Sequence, residues 1–367
     1  MKVLFVTSYP SPYRVDFFNL LGQSVDLTVA FTERIEWQKH RSRDWFNENY
    51  SGFRAVFLKD LVRIRKVMIF KDIIPLLKSG FDHVILGGYS SGTLMAAIEY
   101  MKLHRIPFAI EADGGMISEE SKLKYWGKKH FIGSASAWLS SGKATSEYFV
   151  HYGAKKERIF LYPFTSQWKK DLDQACLLSR EEKDTVRGRL GIEESRMLLT
   201  VGQLIPRKGV DILMKAAKRL PKDVAVVVVG AEPTEEYLAL KRDLDLTHVH
   251  FVGFKVKDEL ADYYRAADVF VMPTRKDIWG LVINEAMSYG LPIVSTDRCI
   301  AALELVEEGV NGQIVPAEDP EALAEGILKV LDGDPARMGA LSREKIRNYT
   351  MEKMVEAHLE YFQKVSS

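Results

Sequence analysis

Two carboxylates, Asp277 and Glu285, lie eight residues apart within the segment 269–296, VFVMPTRKDIWGLVINEAMSYGLPIVST. The apolar residues that open this segment predict a strand buried on both faces, Pro273 ends it, and a helix is expected from about Gly280. Glu285 then stands in a helix that is otherwise apolar. Because a buried carboxylate without a partner is costly, the pattern predicts that a hydrogen-bonding ligand or neighbour meets Glu285.

A second candidate site lies in the stretch VGQLIPRKGVDIL. A strand is expected to end at Gly202, a loop to present Arg207 and Lys208, and a helix to begin at Gly209. A lysine ammonium beside the free backbone N–H groups of a helix start is suited to binding phosphate. The stretch therefore predicts an anion site.

The helix start at Gly280 offers a second anion site of the same kind. Two anion sites with a carboxylate beyond them suggest a nucleotide diphosphate as ligand. Glu285 could then accept hydrogen bonds from two ribose hydroxyls, and Asp277 could meet the hydroxyls of an attached sugar. The structural alternative is that one carboxylate caps the helix and the other is a core glutamate paired with a lysine.

The elements around these residues alternate between short apolar strands and helical stretches in both halves of the chain. Such alternation predicts an α/β protein with two doubly wound, Rossmann-like domains, whose binding residues lie beyond the carboxyl ends of the strands. Strands are expected at 2–8, 26–32, 55–59, 83–88, 107–112, 137–141, 159–163, 197–202, 224–230, 249–253, 269–273, 292–296 and 312–316. Helices of the second half are expected near 209–219, 233–243, 257–266, 280–289, 300–308 and 320–332.

At 367 residues the chain is longer than one hydrophobic core usually supports, which favours two domains. We expect the first over residues 1–168 and the second over 169–349, because the strand pattern lapses and charge rises between them. Within the segment that connects the two domains, Ser179 and Glu182 predict a capping box for a helix that runs to about Leu190. A last helix within 350–367 is expected to pack back on the first domain.

Several known ligand motifs are missing from the sequence. No GxGxxG follows a strand, and GQLIPRKG lacks the spacing of a phosphate-binding GxxxxGK[ST] loop, so a dehydrogenase and a P-loop hydrolase are disfavoured. The DLD tripeptides at 171–173 and 243–245 look like a metal-binding DxD, but both lie in charged helical or linker sequence. We therefore expect no metal site.

Composition is that of a soluble globular protein, with 47% hydrophobic and 28% charged residues. The two cysteines, Cys176 and Cys299, are too few for a disulfide framework and fit a reducing cytoplasm. Ser8 and Pro10 interrupt the first apolar run, so no signal peptide is expected. No run approaches the roughly 18 apolar residues that cross a bilayer. The expected location is cytoplasmic, with any membrane contact peripheral.

Charge is distributed unevenly along the chain: residues 1–170 carry 25 basic and 16 acidic residues, and 171–367 carry 26 and 34. In the basic half, the stretches 61–78 and 122–133 interleave lysine and arginine with aromatic and aliphatic residues. Such stretches suit an anionic membrane surface at the inner face of the plasma membrane. The alternative is a pair of surface helices that keep their lysines in water. A pI near 7.7 disfavours nucleic acid as a partner.

The second half resembles the retaining glycosyltransferases of family 4. The resemblance covers about residues 197–333, through GQLIPRKGVDIL, FVGFKVKDELADYYRAADVFVMPT, DIWGLVINEAMSYGLPIVST and ELVEEGVNGQIV. In the first half only PSPYRVDFF looks like bacterial capsular and exopolysaccharide glycosyltransferases. The resemblance implies the GT-B fold, with two Rossmann-like domains facing across a cleft. It also implies a nucleotide diphosphate sugar of UDP or GDP type as donor substrate, with no cofactor and no metal.

The resemblance also implies roles for individual residues. Glu285 would hold the donor ribose, Asp277 would contact the sugar, and Lys208 would neutralise charge on the leaving diphosphate. Backbone groups would make further donor contacts, at Gly280, Leu281 and Val282 for the diphosphate and at Phe254 and Lys255 for the base.

The sequence departs from the family pattern in three places. Asp277 stands where the family usually has a glutamate. Gln203 stands where it usually has an arginine, which removes a bidentate phosphate partner. The neighbouring Arg207 is the candidate that would compensate. The loop that carries a histidine in many members reads EADGG here, so Asp113 or Glu111 is the candidate group facing the acceptor. The alternative is that these two carboxylates cap the following helix.

These features predict a membrane-associated retaining hexosyltransferase that acts in bacterial surface polysaccharide or glycolipid assembly. The donor would bind the second domain, and a sugar or lipid-linked sugar acceptor would bind the first. Two alternatives stay open: a nucleotide-sugar epimerase of the same fold, and a nucleotide-sugar-binding protein with weak or no transfer activity.

Overall fold

The computed structural model describes residues 1–33, 48–64, 67–174 and 177–366. Arg65 and Lys66 of the first basic stretch, and Cys176, lie outside the described residues. Internal contacts divide the chain into two compact units. Unit 1 comprises Met1–Thr165 together with Met351–Ser367, and unit 2 comprises Ser166–Thr350.

Strands and helices alternate through most of both units. The strands are β1 (Lys2–Thr7), β2 (Asp26–Phe31), β3 (Arg54–Phe57), β4 (Leu61–Ile64), β5 (Val67–Phe70), β6 (His83–Leu86), β7 (Ala109–Ala112), β8 (Ala137–Ser140), β9 (Ile159–Leu161), β10 (Arg196–Val201), β11 (Val224–Val229), β12 (Val249–Val252), β13 (Val269–Met272), β14 (Ile293–Thr296) and β15 (Gly312–Val315).

The α-helices vary from six to sixteen residues in length. They are α1 (Pro12–Leu21), α2 (Ile73–Lys78), α3 (Gly92–Leu103), α4 (Lys122–Ile132), α5 (Lys143–His151), α6 (Lys169–Gln174), α7 (Arg180–Leu190), α8 (Val210–Ala217), α9 (Glu235–Asp243), α10 (Lys257–Ala266), α11 (Leu281–Ser288), α12 (Ile300–Leu305), α13 (Pro320–Leu331), α14 (Pro335–Ile346) and α15 (Met351–Ser366).

The large sheet of unit 1 has the order β3-β2-β1-β6-β7-β8-β9, and all its paired strands are parallel. Its interior strand β1 is apolar on both faces, and Val3, Leu4, Phe5 and Val6 have no exposed surface. A parallel sheet is covered by helices on both sides, which is why such a strand reads as a continuous apolar run. The α/β prediction is confirmed for this half.

The first basic stretch differs from the surface-helix alternative. β4 and β5 form an antiparallel hairpin in which Leu61 lies opposite Phe70, and only α2 after it is helical. The helical alternative is therefore wrong for the described residues of 61–70, where β-branched side chains favour strands. The second basic stretch is the helix α4.

The large sheet of unit 2 has the order β12-β11-β10-β13-β14-β15 and is also parallel throughout. All six residues of β11 are buried. The order reverses between β10 and β13, so the loops after these two strands lie side by side at the carboxyl edge. This is the position where open α/β sheets bind ligands.

The start of α7 was predicted correctly, whereas helix α14 was not predicted. Ser179 and Glu182 form the predicted capping box, with backbone N–H to side-chain distances of 2.7 Å and 3.3 Å. Helix α14 was not anticipated, although Asp334 accepts a hydrogen bond from the N–H of Arg337 and Pro335 occupies the first turn. An aspartate before a proline is a recognisable helix start. Helix α15 belongs to unit 1, where it packs on α1 and β9.

A buried ion pair ties helix α7 to the sheet of unit 2. Arg187 donates to Asp268 at 2.7 Å and to the carbonyl oxygen of Ala266 at 2.9 Å. Asp268 also accepts from the backbone N–H of Met197, the second residue of β10. The side chain of Arg187 is 3% exposed, so its charge depends on these acceptors rather than on water.

We expect Asp268→Ala to lower the free energy of unfolding by about 3 kcal/mol, because it removes the less exposed of the two carboxylates that pair with the buried Arg187. Asp223→Ala is the matched control, since Asp223 pairs with the partly exposed Arg196. Its loss should be about 1 kcal/mol or less. Urea unfolding followed by circular dichroism measures both, and equal losses would contradict the assignment.

Candidate active site

Two glycines in the loop after β10, Gly202 and Gly209, have positive φ. Gly209 has φ +69°, and a Cβ built there would lie 1.9 Å from the carbonyl oxygen of Pro273. Only glycine tolerates both that conformation and that approach. The loop after β10 therefore packs against the loop after β13, with Lys208 near Gly202 in a small pocket between them.

Asp277 meets both cations of the first loop. Its Oδ2 lies 2.6 Å from Nζ of Lys208 and 3.1 Å from a guanidinium nitrogen of Arg207. Asp277 and Lys208 are mostly buried, with 12% and 17% of their side chains exposed, whereas Arg207 is 45% exposed. Three predicted site residues are thus in contact, and two positive charges share one carboxylate. This leaves the cluster with an excess of positive charge that suits an anion.

Sequence reasoning missed Arg275, which fastens these two loops together. Its guanidinium donates twice to Asp211, at 2.7 Å and 2.8 Å, and also to Glu318 at 2.8 Å and the carbonyl oxygen of Pro206 at 2.6 Å. These hydrogen bonds raise the pKa of Arg275 further. The preceding Pro-Thr turn was visible in the sequence, but the bond to Asp211 joins residues 64 positions apart.

Helix α11 begins after Gly280, which has φ +106°. A Cβ there would lie 2.9 Å from Sγ of Cys299. The thiol of Cys299 donates to the carbonyl oxygen of Trp279 at 3.0 Å, and its burial raises its pKa to about 12. The glycine therefore lets the helix start lie directly on the core, with the amides of Leu281 and Val282 in its first turn.

Glu285 has a protein partner that the sequence did not indicate. The hydroxyl of Tyr264 donates to its Oε2 at 2.9 Å, and Tyr264 stacks on Tyr289 with ring centroids 5.2 Å apart. Burial raises the pKa of Glu285, and the hydrogen bond from Tyr264 and the charge of Lys257 oppose that shift in part. One oxygen of Glu285 is thus held in place. The structural alternative predicted a core glutamate paired with a lysine, but the hydrogen-bond partner of Glu285 is the hydroxyl of Tyr264.

The remaining predicted donor contacts lie at the surface of unit 2. Phe254 is 58% exposed, and Lys255 lies 3.9 Å from Glu259. Gln203 is exposed at the end of β10. The assignment of these residues to parts of a donor remains a prediction.

The predicted carboxylates of unit 1 do not cap a helix. Ser121 is the residue whose side chain caps α4, and it accepts from the N–H of Lys124. Glu111 is 1% exposed and pairs with Arg14 at 2.6 Å. Asp113 pairs with the same arginine but is 26% exposed. The capping alternative is therefore wrong, and Glu111 faces the interior rather than an acceptor.

Within the described residues no group of three or more histidine, cysteine or acidic side chains could hold a metal ion. The first DLD tripeptide lies in α6, and the second straddles the end of α9. Nor does this part of the chain include a helix with the length and apolar character needed to span a membrane.

Residues 182–352, just under half of the chain, match the family model described as Glycosyl transferases group 1. The D-inositol 3-phosphate glycosyltransferase of Xylanimonas cellulosilytica is 31% identical over 254 residues, which cover 64% of this chain and 58% of that protein. An uncharacterized glycosyltransferase of Methanocaldococcus jannaschii is 30% identical over 234 residues, which cover 59% of this chain. The chain spans 58% and 56% of the length of these two relatives.

Among solved structures, Anabaena HepE in complex with UDP is similar to this chain, with a TM-score of 0.78 and 17% identity over 99% of this chain and 100% of that one. HepE in complex with UDP-glucose gives a TM-score of 0.74 at 18% identity, over 100% of this chain and 99% of that one. These likenesses confirm the predicted fold class, GT-B with two Rossmann-like halves.

Glu285 makes the stability of the protein depend on pH. Its folded pKa is raised above its ordinary value of 4.5. The stability present below the unfolded pKa is therefore lost as the pH rises through the folded pKa. Glu285→Gln lacks this titration, so the melting temperature of the variant relative to wild type should increase from about pH 5 to about pH 8. Calorimetry measures this difference. Glu325→Gln, on the exposed face of α13, controls for loss of a carboxylate, and a pH-independent difference would contradict the expectation.

Proposed function

We propose that the protein is a retaining glycosyltransferase of family 4 that moves a hexosyl group from a nucleotide diphosphate sugar to an acceptor hydroxyl. The carrying observation is the contact of Lys208 with Asp277 just before α11, the helix that begins after Gly280 and carries Glu285. Two structural neighbours carry UDP or UDP-glucose, which favours a UDP-type donor over a GDP-type donor.

The donor would be held at three points in unit 2. The free amides at the start of α11 would bind the diphosphate, because unpaired N–H groups and the helix dipole favour an anion. Lys208 and Arg207 supply positive charge beside it. Glu285, with one oxygen fixed by Tyr264, would accept a hydrogen bond from a ribose hydroxyl.

Transfer breaks the bond between the anomeric carbon and the diphosphate oxygen, and the electron pair goes to the diphosphate. Negative charge on that oxygen therefore grows in the transition state. Lys208 stabilises this growing charge, so it lowers the barrier as well as tightening binding. Retention requires the acceptor oxygen to attack from the side on which the diphosphate leaves, and its proton can pass to a diphosphate oxygen. Asp277 keeps Lys208 in place until the donor arrives.

The acceptor is proposed to bind unit 1, near Asp113. Relatives named for inositol 3-phosphate suggest a phosphorylated polyol as one acceptor class. The segment PSPYRVDFF favours surface polysaccharide or glycolipid assembly, with a sugar or lipid-linked sugar as acceptor.

The rival proposals are a nucleotide-sugar-binding protein, motivated by Gln203 and Asp277, and an epimerase of the same fold. Neither rival transfers sugar to an acceptor, so an assay for sugar transfer distinguishes both from the glycosyltransferase.

A cytoplasmic location with peripheral membrane contact is proposed from helix α4 of unit 1. Leu123 and Trp126 are 85% and 61% exposed, although they are large and apolar. Nζ of Lys129 lies 5.2 Å from the Trp126 ring centroid, and Lys122 and Lys124 are exposed nearby. Apolar side chains among lysines suit the headgroup region of an anionic bilayer.

The donor proposal predicts that UDP binds wild type and that Glu285→Ala raises the dissociation constant at least about 10-fold, since a hydrogen bond to a charged group is lost. Isothermal titration measures this, with GDP as the second ligand and Glu325→Ala as the matched control. Label from UDP-glucose should then enter an acceptor from a panel of inositol phosphates and membrane lipid extract. If both nucleotides fail to bind, the donor site is wrong. Binding without transfer to any acceptor would favour the binding protein.

The membrane proposal predicts that the double change Leu123→Ser and Trp126→Ser weakens binding to phosphatidylglycerol vesicles about 10-fold, because two apolar side chains no longer insert. Flotation measures the bound fraction. Leu103→Ser is the matched control, because Leu103 is 80% exposed outside the basic stretches. Equal recovery with phosphatidylcholine and phosphatidylglycerol would reject the role of the lysines.

A further inference from the structure

Four ionisable side chains of unit 1 form a connected array. Arg14 lies on α1, Glu111 on β7, Asp113 just beyond β7, and His358 on α15. NH1 of Arg14 lies 2.6 Å from Oε1 of Glu111, and NH2 pairs with Oδ1 of Asp113. One guanidinium therefore holds both carboxylates. Arg14 is 7% exposed and Glu111 is fully buried, so solvent screens this array very little.

His358 contacts Glu111 on the oxygen that Arg14 leaves open. Its Nδ1 lies 2.7 Å from the carbonyl oxygen of Met354, and its Nε2 lies 2.8 Å from Oε2 of Glu111. Burial acts to raise the pKa of Glu111, but the charges of Arg14 and His358 outweigh it and bring the pKa to about 2. An ionised carboxylate and a carbonyl oxygen can only accept hydrogen bonds. Each ring nitrogen of His358 therefore faces an acceptor, and Nε2 faces the ionised Glu111.

Glu111 and Asp113 differ in how many of their carboxylate oxygens have a partner. Glu111 has one oxygen paired with Arg14 and the other with His358. Asp113 receives Arg14 and the hydroxyl of Tyr162, at 3.1 Å, on the same oxygen, Oδ1. Among the residues that the structure describes, no hydrogen bond or ion pair reaches its Oδ2. With 26% of its side chain exposed, Asp113 presents an unused carboxylate oxygen at the surface of unit 1.

Aromatic rings hold the array rigid. The guanidinium carbon of Arg14 lies 5.3–5.8 Å from the ring centroids of Phe5, Phe17 and Phe164. The ring of His358 lies 4.7 Å from that of Phe17. Such packing leaves Arg14 little freedom to change rotamer, and Asp113 depends on Arg14 for its orientation.

A buried array of this kind is weak evidence for stability, because well-packed apolar residues often replace such groups without loss. What apolar packing cannot supply is a carboxylate oxygen held in one orientation at the carboxyl edge of a parallel sheet. We propose that Arg14, Tyr162 and His358 are positioning residues that orient Asp113, so that its Oδ2 accepts a hydrogen bond from a hydroxyl of a sugar ligand. This inference rests on the proposed function and adds the C-terminal helix to it.

Tyr162→Phe is the mildest test, since it removes only the hydroxyl that donates to Asp113. We expect kcat for UDP-glucose turnover to fall about 10-fold, as for loss of one hydrogen bond to a charged group. Asp113→Asn should lower kcat about 100-fold, because a misplaced or weakened contact near the reacting atoms has that effect. Combined with Asp113→Asn, Tyr162→Phe should cause no further loss, because it acts through that carboxylate.

His358→Gln tests the far end of the array, because glutamine keeps an N–H donor toward Glu111 but lacks the ring that also reaches the carbonyl oxygen of Met354. It should lower kcat about 10-fold and also add nothing to Asp113→Asn. Tyr361→Phe on the same helix is the matched control, since Tyr361 packs on Phe160 outside the array. The dissociation constant for UDP, a property of unit 2, should stay within about twofold of wild type.

The outcomes separate this inference from the proposed function. If wild type turns over donor and the losses multiply, or Asp113→Asn keeps wild-type kcat, then the array is only structural and the inference is overturned. If wild type binds UDP without turnover, the proposed function fails, and the positioning role fails with it. Melting temperatures of all variants show whether a loss of kcat reflects unfolding. Should His358→Gln not fold, Tyr162→Phe decides alone.

Discussion

In both large sheets every paired strand runs parallel to its neighbour, and the rest of the structure depends on this constraint. A parallel strand is covered on both faces, so its side chains must be apolar, as the six buried residues of β11 are. Polar groups are then confined to the loops at the two edges. At the carboxyl edge of unit 2, the loops after β10 and β13 bring Lys208 and Asp277 into contact from positions 69 residues apart.

Glycine conformation decides how closely those loops approach. Gly209 touches the backbone at Pro273, and Gly280 lies on the thiol of Cys299. A side chain at either position would push the loop away from its neighbour. The helix starts are therefore fixed by backbone contact, and Arg275 fastens the same loops through Asp211 and Pro206. Preorganised donors of this kind need little rearrangement when charge develops on a ligand.

Glu285, Asp268 and Glu111 follow one rule: each is a mostly buried carboxylate whose orientation is fixed by a partner. Tyr264 holds one oxygen of Glu285, and Arg187 holds Asp268. In unit 1 the rule extends to a four-member array that leaves one oxygen of Asp113 unused. Since burying charge costs free energy, an array with an open acceptor is more informative about ligand binding than about stability.

Much of the fold could be predicted from the sequence, because local signals determine it. Apolar runs located the strands of both large sheets to within a few residues, and Ser179 with Glu182 gave a helix start that the structure confirms. Local signals were weaker elsewhere. Residues 61–70 have the apolar and basic mixture of an amphipathic helix, yet their described part pairs as a hairpin, and α14 was missed although Asp334 and Pro335 mark its start.

The candidate site divides in the same way. The sequence by itself determined that Lys208 and Asp277 lie in loops after strands and that Glu285 lies within an apolar helix, because those signals are short in range. Only the tertiary structure decided their partners. Tyr264 lies 21 residues before Glu285, and His358 lies 247 residues after Glu111. No periodicity or spacing links such positions, because sheet order and helix packing bring them together after the local elements have formed.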